Sequence, residues 1–547
     1  MFYDKVVTEL RELGVRHVLL ALLVYLIVAT VWLNYFRQPR CPKSIPHVGQ
    51  DPHGWLSPIR GFGKRLEWAK EGYEKYNKHN RTFVLSRTPG SPNDLVLPRS
   101  QLAWFVEQPD SVLSTTAAHY RMLAGAYAFQ DHRVMTEVYQ EHVVHKLLQR
   151  NVKSMLPDLW DEITIVLDEQ LGTEPGVWRD VKLWNMVSNT MPRIAHMMFV
   201  GRPVCRIPEY LKAVAGHALG VASCMWFRDM TPAALVPLVA RLAALPNWIF
   251  WRRTAKYTLP MVRRQLADME RKLREPEWEW QPPNNFWTWY IRVALEEGRL
   301  DQLDPVLMTK RLMPLNFASI HTSTLTALSL ILDLVSSDPK RGYLDAIRSE
   351  VAQVLREHGT LCSKEALAKL HKTDSAVRES IRLSNFAQTL LHKEVVAPEG
   401  LTNEAEGWHA PKGTLLCFAS GCIHHDPDVY DSPWEYDPFR FSRAQEEQEA
   451  RSDGERKVFR KHQGSIVTTG DSYLAFGHGK HACPGRFFAA YVMKMLLACL
   501  VINYEIKPLE RRPLYEWFGM VMIPPTGTSI QVRRKGKRKG RKEKGCI

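Results

Sequence analysis

The sequence predicts a mostly α-helical body with a minor β-sheet, carried on one N-terminal membrane-spanning helix. Long stretches of apolar residues at helical spacing fill the middle of the chain, over 141–171, 260–273, 305–336 and 363–383; that repeat buries one helix face. Short alternating stretches lie before and after them. Arg81-Thr82-Phe83-Val84-Leu85-Ser86 precedes turn residues at Pro89-Gly90 and Pro92-Asn93, and Thr414-Leu415-Leu416-Cys417-Phe418-Ala419 comes late in the chain; both are strand patterns. A continuous apolar run occupies 18–36.

That run is interrupted only weakly, by Thr30 and Asn34. As a helix it reaches about 28 Å, against the ~30 Å hydrocarbon core of a bilayer. A cleaved signal peptide or a buried core helix would also be apolar. The run exceeds a usual signal core, however, and no small-residue cleavage site precedes Asn34-Tyr35-Phe36-Arg37-Gln38, so it reads as a single-pass anchor with residues 1–17 lumenal. Charges ahead of it cancel, whereas Arg37, Arg40 and Lys43 follow it directly. An excess of cations on one flank places that flank in the cytosol.

Pro39, Pro42 and Pro46 make 37–60 a stiff, non-helical linker, because each ring removes a donor and biases its predecessor toward extended geometry. From 61 to 532 no compositional break or repeat divides the chain, which reads as one body. Hydrophobic residues make up 45% of the sequence, with 17 tryptophans, enough for a sizeable core. The nine cysteines are scattered, odd in number and without a C-x-x-C pair, which suggests neither a disulfide framework nor a zinc site. Of the net charge of +15, nine Lys/Arg against one Glu over 533–544 supply +8. Residues 533–547 therefore form a separate basic tail, expected to be disordered. On a membrane-anchored chain it reads as a solvated extension or a contact with the anionic leaflet, not as a nucleic-acid site. Cys546 is next to last and does not fit a prenylation site.

The most informative stretch is Phe476-Gly477-His478-Gly479-Lys480-His481-Ala482-Cys483-Pro484-Gly485-Arg486, a cysteine in a glycine-rich bend ahead of a strongly apolar helical run. A thiolate that approaches an iron face needs neighbours without bulk, which Gly477, Gly479 and Gly485 supply. Backbone N–H groups and the following helix N-terminus would favour thiolate over thiol. A haem-iron ligand is the sharper reading of Cys483, and a buried free cysteine the plainer one. A thiolate ligand pushes electron density onto iron and favours O–O cleavage.

The helix over 305–336 is apolar yet holds Ala318-Ser319-Ile320-His321-Thr322-Ser323-Thr324. Its hydroxyls can bond the preceding turn's carbonyls, or hold water and relay protons beside a flat ligand that Ala318 and Ser319 let approach. Glu379 and Arg382, three apart in Arg378-Glu379-Ser380-Ile381-Arg382, share one helix face, with Asp437-Pro438-Phe439-Arg440-Phe441 some sixty residues on. Alone, such a pair is usually a solvated surface pair.

Phe476, Gly479, Cys483 and Gly485, with Thr322 and the Glu379/Arg382 pair at their distances upstream, resemble the signatures of the cytochrome P-450 family. The chain is most similar to microsomal members of filamentous-fungal secondary-metabolite pathways, and the resemblance runs nearly its whole length. It implies the cytochrome P-450 fold, a helical prism with a minor sheet, burying haem b (iron protoporphyrin IX) between the central helix and the cysteine loop. Cys483 would be the axial ligand, Phe476 would pack on its loop, and Thr322 with His321 would position dioxygen and protons. His321 stands where the family more often has an acid. Glu379, Arg382 and Arg440 would form a structural triad. His481, Lys393 and, from an early helix, His145 and Lys146 would meet the haem propionates, with His142 on the same helix. The implied activity is a monooxygenation of the EC 1.14 type. One atom of O2 enters a bulky apolar molecule, a terpenoid or polyketide-derived scaffold, with electrons from NADPH delivered by NADPH-cytochrome reductase and cytochrome b5 as a further donor. The pocket walls would come from 111–129, 224–251, Phe317 and 517–523. The implied location is the endoplasmic reticulum membrane, with the catalytic body cytosolic and in contact with lipid. Two other functions stay open on the sequence: a reductase-independent haem-thiolate isomerase or dehydratase, and a non-catalytic haem- or lipid-binding membrane protein.

Overall fold

A computed structural model describes residues 41–49, 57–86, 93–232, 234–443, 464–518 and 521–536, with Leu20, Leu23 to Tyr25 and Val28 near the N-terminus. Those five residues are helical and exposed. The rest of the anchor, the turn at 89–92 and the tail beyond 536 lie outside the described residues.

The body is built on ten principal helices: α1 (Ser57–Lys75), α2 (Tyr139–Leu171), α3 (Leu183–Phe199), α4 (Pro208–Met230), α5 (Val236–Arg274), α6 (Phe286–Glu296), α7 (Pro305–Val335), α8 (Tyr343–His358), α9 (His371–Leu383) and α10 (Arg486–Asn503). α7 is the axis of the helical part, packed against α3, α4, α5 and α9. By length and composition α7 and α10 could cross a membrane, but 61% and 67% of their most apolar stretches are buried inside the body, so both are core helices. Asp304 caps α7 by accepting from Val306 N at 2.9 Å, and Pro305 at the first turn removes a donor that would go unpaired.

Thirteen short strands complete the described architecture. β1 (His47–Val48), β2 (Phe83–Leu85), β3 (Asp94–Leu97), β4 (Leu113–Ser114), β6 (Leu390–Val395) and β9 (Leu415–Phe418) form one sheet in the order β1-β2-β3-β9-β6-β4. β5 (Trp178–Lys182), β10 (Tyr504–Ile506) and β13 (Ser529–Arg534) form a second in the order β10-β13-β5. β7 (Leu401–Asn403) pairs with β8 (Trp408–Ala410), and β11 (Glu516–Phe518) with β12 (Val521–Ile523). In the large sheet β3 and β9 run parallel, Asp94 opposite Leu415, although more than three hundred residues separate them. α1 docks on this sheet through Arg65, which donates to Ser86 O at 2.7 Å and pairs with the buried Asp94 carboxylate.

Several boundaries differ from the sequence reading. α5 begins at Val236 and runs through Pro246 and Pro260, where the sequence starts a helix only at 260. The stretch 363–383 divides into Lys364–Ala368 and α9. β13 extends to Arg534, so the first two tail cations belong to the sheet: Arg533 pairs with Glu505 at 2.6 Å and Arg534 pairs with Asp168.

Two hydrophobic cores result. The larger joins α2, α3, α6, α7 and α10, and the smaller lies under the large sheet, around Phe83, Val96, Phe105 and Phe418. Leu474 is fully buried in the sheet-side core, and Phe476, two residues on, packs against the helical one.

Candidate active site

The cysteine loop is shaped by local bonds. Gly477 N donates to Leu474 O at 2.9 Å, Ala482 N to Gly479 O at 3.1 Å, and Cys483 N reaches back to Phe476 O at 2.8 Å. Gly477 and Gly479 have φ of +69° and +74°, a region that side chains disfavour. A Cβ on Gly479 would also come within 3.0 Å of Val106 Cβ. Gly485 is different: its φ is −79° and a Cβ there would stand 3.8 Å from the Cys483 sulfur, an ordinary contact, so neither its conformation nor its described neighbours demand glycine. Burial pushes the Cys483 thiol up, opposed by the backbone N–H groups of Gly485 and Arg486 and the Arg486 guanidinium. Arg486 opens α10, donates from Nη1 to Cys483 O at 2.8 Å, and keeps a buried Nε without a partner among the described residues.

On α7, Ala318 is exposed and Thr322, one turn on, is partly so, on a helix buried along most of its length. α7 is walled by four other helices, yet these two residues keep accessible surface on it. The hydroxyls bond the preceding turn. Thr322 Oγ1 donates to Ala318 O at 2.7 Å, Thr326 Oγ1 to Thr322 O at 2.8 Å, and Ser323 Oγ to Ser319 O. The Thr322 oxygen keeps its lone pairs free. His321 lies edge-on to Phe317, ring centroids 5.9 Å apart; burial pushes its pKa down against a hydrogen bond to the Ala218 backbone.

Behind the cysteine loop, Glu379 and Arg382 are without exposed side-chain surface. Arg382 Nε and Nη2 donate to the two Glu379 oxygens at 2.8 Å each, and Arg440 Nε reaches Glu379 Oε1 at 3.1 Å. The remaining donors are taken by carbonyls: Arg382 Nη1 by Pro433 O at 2.7 Å and by His424 O, Arg440 Nη1 by Asp431 O at 2.6 Å. One carboxylate thus ties α9 to the segment around 424–440, a fully satisfied arrangement of the kind a buried charge requires.

The cations divide. His481 Nε2 lies 2.7 Å from Asp110 Oδ1, and Lys480 Nζ 3.1 Å from its other oxygen. Lys393, nearly buried in β6, donates to Phe105 O at 3.2 Å; burial pushes its ammonium down to about 8, with Asp110 and Lys480 acting on it in opposite senses. On α2 the helical period separates the candidates. Lys146 pairs with Glu297 at 3.0 Å and Glu296 at 3.3 Å, and His142 with Glu297 at 2.8 Å, so this face is committed to α6 and its end. Glu141 and His145, also one turn apart, face the other way: His145 feels His481 and Arg486, and Glu141 feels Cys483. Lys146 is therefore a surface ion-pair residue, a correction to its assignment as a propionate contact. Glu141, Asp110 and Arg486 were missed. The i, i+4 spacing of Glu141 and His145 was the signal for the first; Asp110, from a distant loop, had none.

The family model for cytochrome P450 matches residues 144–532. The cytochrome P450 monooxygenase nodZ of Hypoxylon pulicicidum is 31% identical over 506 residues, covering 91% of this chain and 93% of that protein. The cytochrome P450 monooxygenase gloP of Glarea lozoyensis is 30% identical over 492 residues, 87% of this chain and 88% of that one. Among solved structures, a retinoic acid bound cyanobacterial CYP120A1 shares the fold with a TM-score of 0.60 at 17% identity, over 91% of this chain and 100% of that one.

Proposed function

The chain belongs to the cytochrome P450 family and is a haem-thiolate monooxygenase, and from that premise we propose that it oxidises a bulky, largely apolar small molecule of a secondary-metabolite pathway, a terpenoid or polyketide-derived scaffold. The family's cofactor is haem b, with electrons from NADPH arriving through a redox partner; the partner proposed here is a membrane NADPH-cytochrome reductase, with cytochrome b5 as a further donor. The observation that carries the reading is the Cys483 sulfur, set on a glycine loop with two backbone N–H groups turned to it.

The residues present fit haem b. The sulfur is flanked by small Gly485, Ala318 and Thr322 keep accessible surface on α7, and Arg486, whose Nε is unpartnered among the described residues, stands with His145 and His481 on the cysteine-loop side as cationic or donor groups. Haem b, when bound, supplies the iron at which dioxygen is activated. Cys483 would hold it, and Gly485 N–H and Arg486 N–H would stabilise the negative sulfur. Arg486, His145, His481 and Lys393 would offset the two propionates. Thr322 would hold a proton at Oγ1, the hydroxyl that donates to Ala318 O. Thr322→Ala is expected to retain haem and substrate binding but to slow product formation on the order of 10²-fold, the low end for a positioned proton donor, while NADPH is still consumed and peroxide appears. Unchanged product per NADPH would remove Thr322 from the proton path.

The membrane reading has support on the body itself. Leu238, Leu242, Leu245 and Ile249 form an exposed stripe at helical spacing along α5, with Leu219, Phe227 and Met230 on α4 beside it. Together with the span at 18–36 and the basic tail, this stripe would hold the cytosolic body against the endoplasmic reticulum membrane. Alkaline carbonate should leave the chain in the microsomal pellet. A chain lacking 1–36 should bind anionic vesicles, losing much of that binding at high salt and more when Leu238, Leu242 and Ile249 are changed to Ser. Release by carbonate would remove the span, and vesicle binding indifferent to both changes would remove the stripe and tail.

A further inference from the structure

Asp94, His392 and Cys417 place a carboxylate oxygen, a ring nitrogen and a sulfur within 4.8 Å of one another, and all three residues are buried. The sheet register brings them together. Val96 stands opposite Cys417 in the parallel pair β3 and β9, and Asp94, two residues before Val96, points to the same face. Lys393 stands opposite Leu416 in the antiparallel pair β6 and β9, so their neighbours His392 and Cys417 share the other face. Leu391, just ahead of His392, has a φ of +57° within the irregularity of β6. Three adjacent strands thus gather three different ligand types on one face. No spacing along the chain announces the group, because its members meet only across the sheet.

Among the described residues no hydrogen bond or ion pair joins the three to one another. Their bonds go outward instead: the Asp94 carboxylate is held by Arg65 through Oδ2, and His392 Nε2 lies 3.3 Å from Thr389 Oγ1. A metal centre needs such support, since a ligating carboxylate and imidazole are each oriented by a second partner. Tetrahedral zinc, about 2.0 to 2.3 Å from O, N and S donors, spaces those atoms by roughly 3.3 to 3.6 Å. The group, already within 4.8 Å, closes on such an ion by side-chain rotation. A water in the same place would serve the carboxylate and the imidazole but gain little from sulfur, a weak hydrogen-bond partner. Burial keeps Cys417 a thiol while no ion is bound, whereas coordination deprotonates a thiol outright. Asp94, the thiolate and Arg65 then sum to one negative charge, which attracts a dication. Sulfur and nitrogen donors select zinc over magnesium or calcium, which take oxygen ligands.

We propose that Asp94, His392 and Cys417 bind one zinc ion, which ties β3, β9 and β6 together and leaves its fourth position to a water. The site is separate from the haem iron and its work is structural. His392 directly precedes Lys393 in β6, so fastening the imidazole also fixes the strand that carries that cation.

The test uses the haem-loaded full chain, produced with added zinc and without a metal-affinity tag. Elemental analysis should find about one zinc per haem iron, and zinc K-edge absorption should show one sulfur at about 2.3 Å with nitrogen and oxygen at about 2.0 to 2.2 Å. In competition with a chelating dye, Cys417→Ser and His392→Ala should each weaken zinc binding by roughly tenfold or more, since losing a ligand costs at least what losing an outer partner does. Where a variant yields no protein, the wild-type ratio and absorption edge decide alone. Zinc well below one per haem, an edge without sulfur, or zinc binding unchanged in both variants would overturn the proposal and leave an adventitious ion only, or a bridging water. Haem iron is counted in the same measurement. A chain with its iron and without zinc removes this site and leaves the monooxygenase centre standing.

Discussion

Cys483→His is expected to abolish the red-shifted Soret band that carbon monoxide gives with a reduced thiolate-ligated haem, and with it all turnover. The effect is total because the thiolate supplies the electron push toward O–O cleavage that an imidazole does not. The other buried cysteines offer no substitute. Cys205, Cys224, Cys417 and Cys499 sit in the interior, where burial pushes each thiol up: to about 11 for Cys205, Cys224 and Cys499, and well above the usual range for Cys417. Two of them, Cys224 and Cys499, lie inside α4 and α10, and Cys417 inside β9, where backbone N–H groups are engaged in the ladder. A Cys483→His protein with an unchanged carbon monoxide spectrum would end the assignment of this sulfur.

The second large effect is on folding. Glu379→Ala would leave Arg382, without exposed surface, facing a void in place of its carboxylate, and would take from Arg440 its one side-chain acceptor among its described hydrogen bonds. Breaking a buried pair this way costs about 3 to 5 kcal/mol, a large share of the roughly 5 to 15 kcal/mol that holds a domain together. Little or no haem-loaded protein is expected. Arg440→Ala should be milder, because that side chain is 15% exposed and its other bonds go to carbonyls at the surface. Normal yield of haem-loaded Glu379→Ala would show that the carboxylate does not hold this region.

The contrast between legible and illegible parts follows from how far apart the interacting residues are. α2 and α7 were readable because their apolar period persists for many turns, and the cysteine loop and the Glu379–Arg382 pair because their shaping bonds span a few residues. α5 was not, since the sequence reading starts a helix only at 260, whereas neighbours along its length hold the helix from Val236 through both Pro246 and Pro260. The pairing of β3 with β9 leaves no local trace, because each strand pattern says only that a partner exists. Lys146 failed for the same reason. Its side of α2 was fixed by Glu296 and Glu297, which no spacing along α2 announces. The tail boundary failed because charge density alone marked it, and Arg533 and Arg534 have acids waiting in Glu505 and Asp168.

The loop that presents Cys483 is also the seam of the molecule. Leu474 is anchored under the large sheet and Phe476 against the helices, with Leu474 N further held by His424 Nε2 at 3.0 Å. A ligand seated on that loop therefore draws on both halves at once, and its binding free energy becomes coupling between them. Cofactor occupancy and mechanical unity are then one property: stripped of haem, the chain should melt in two calorimetric steps, the sheet half apart from the helical half, and loaded, in one. A single step in both states would mean that the seam holds without its guest.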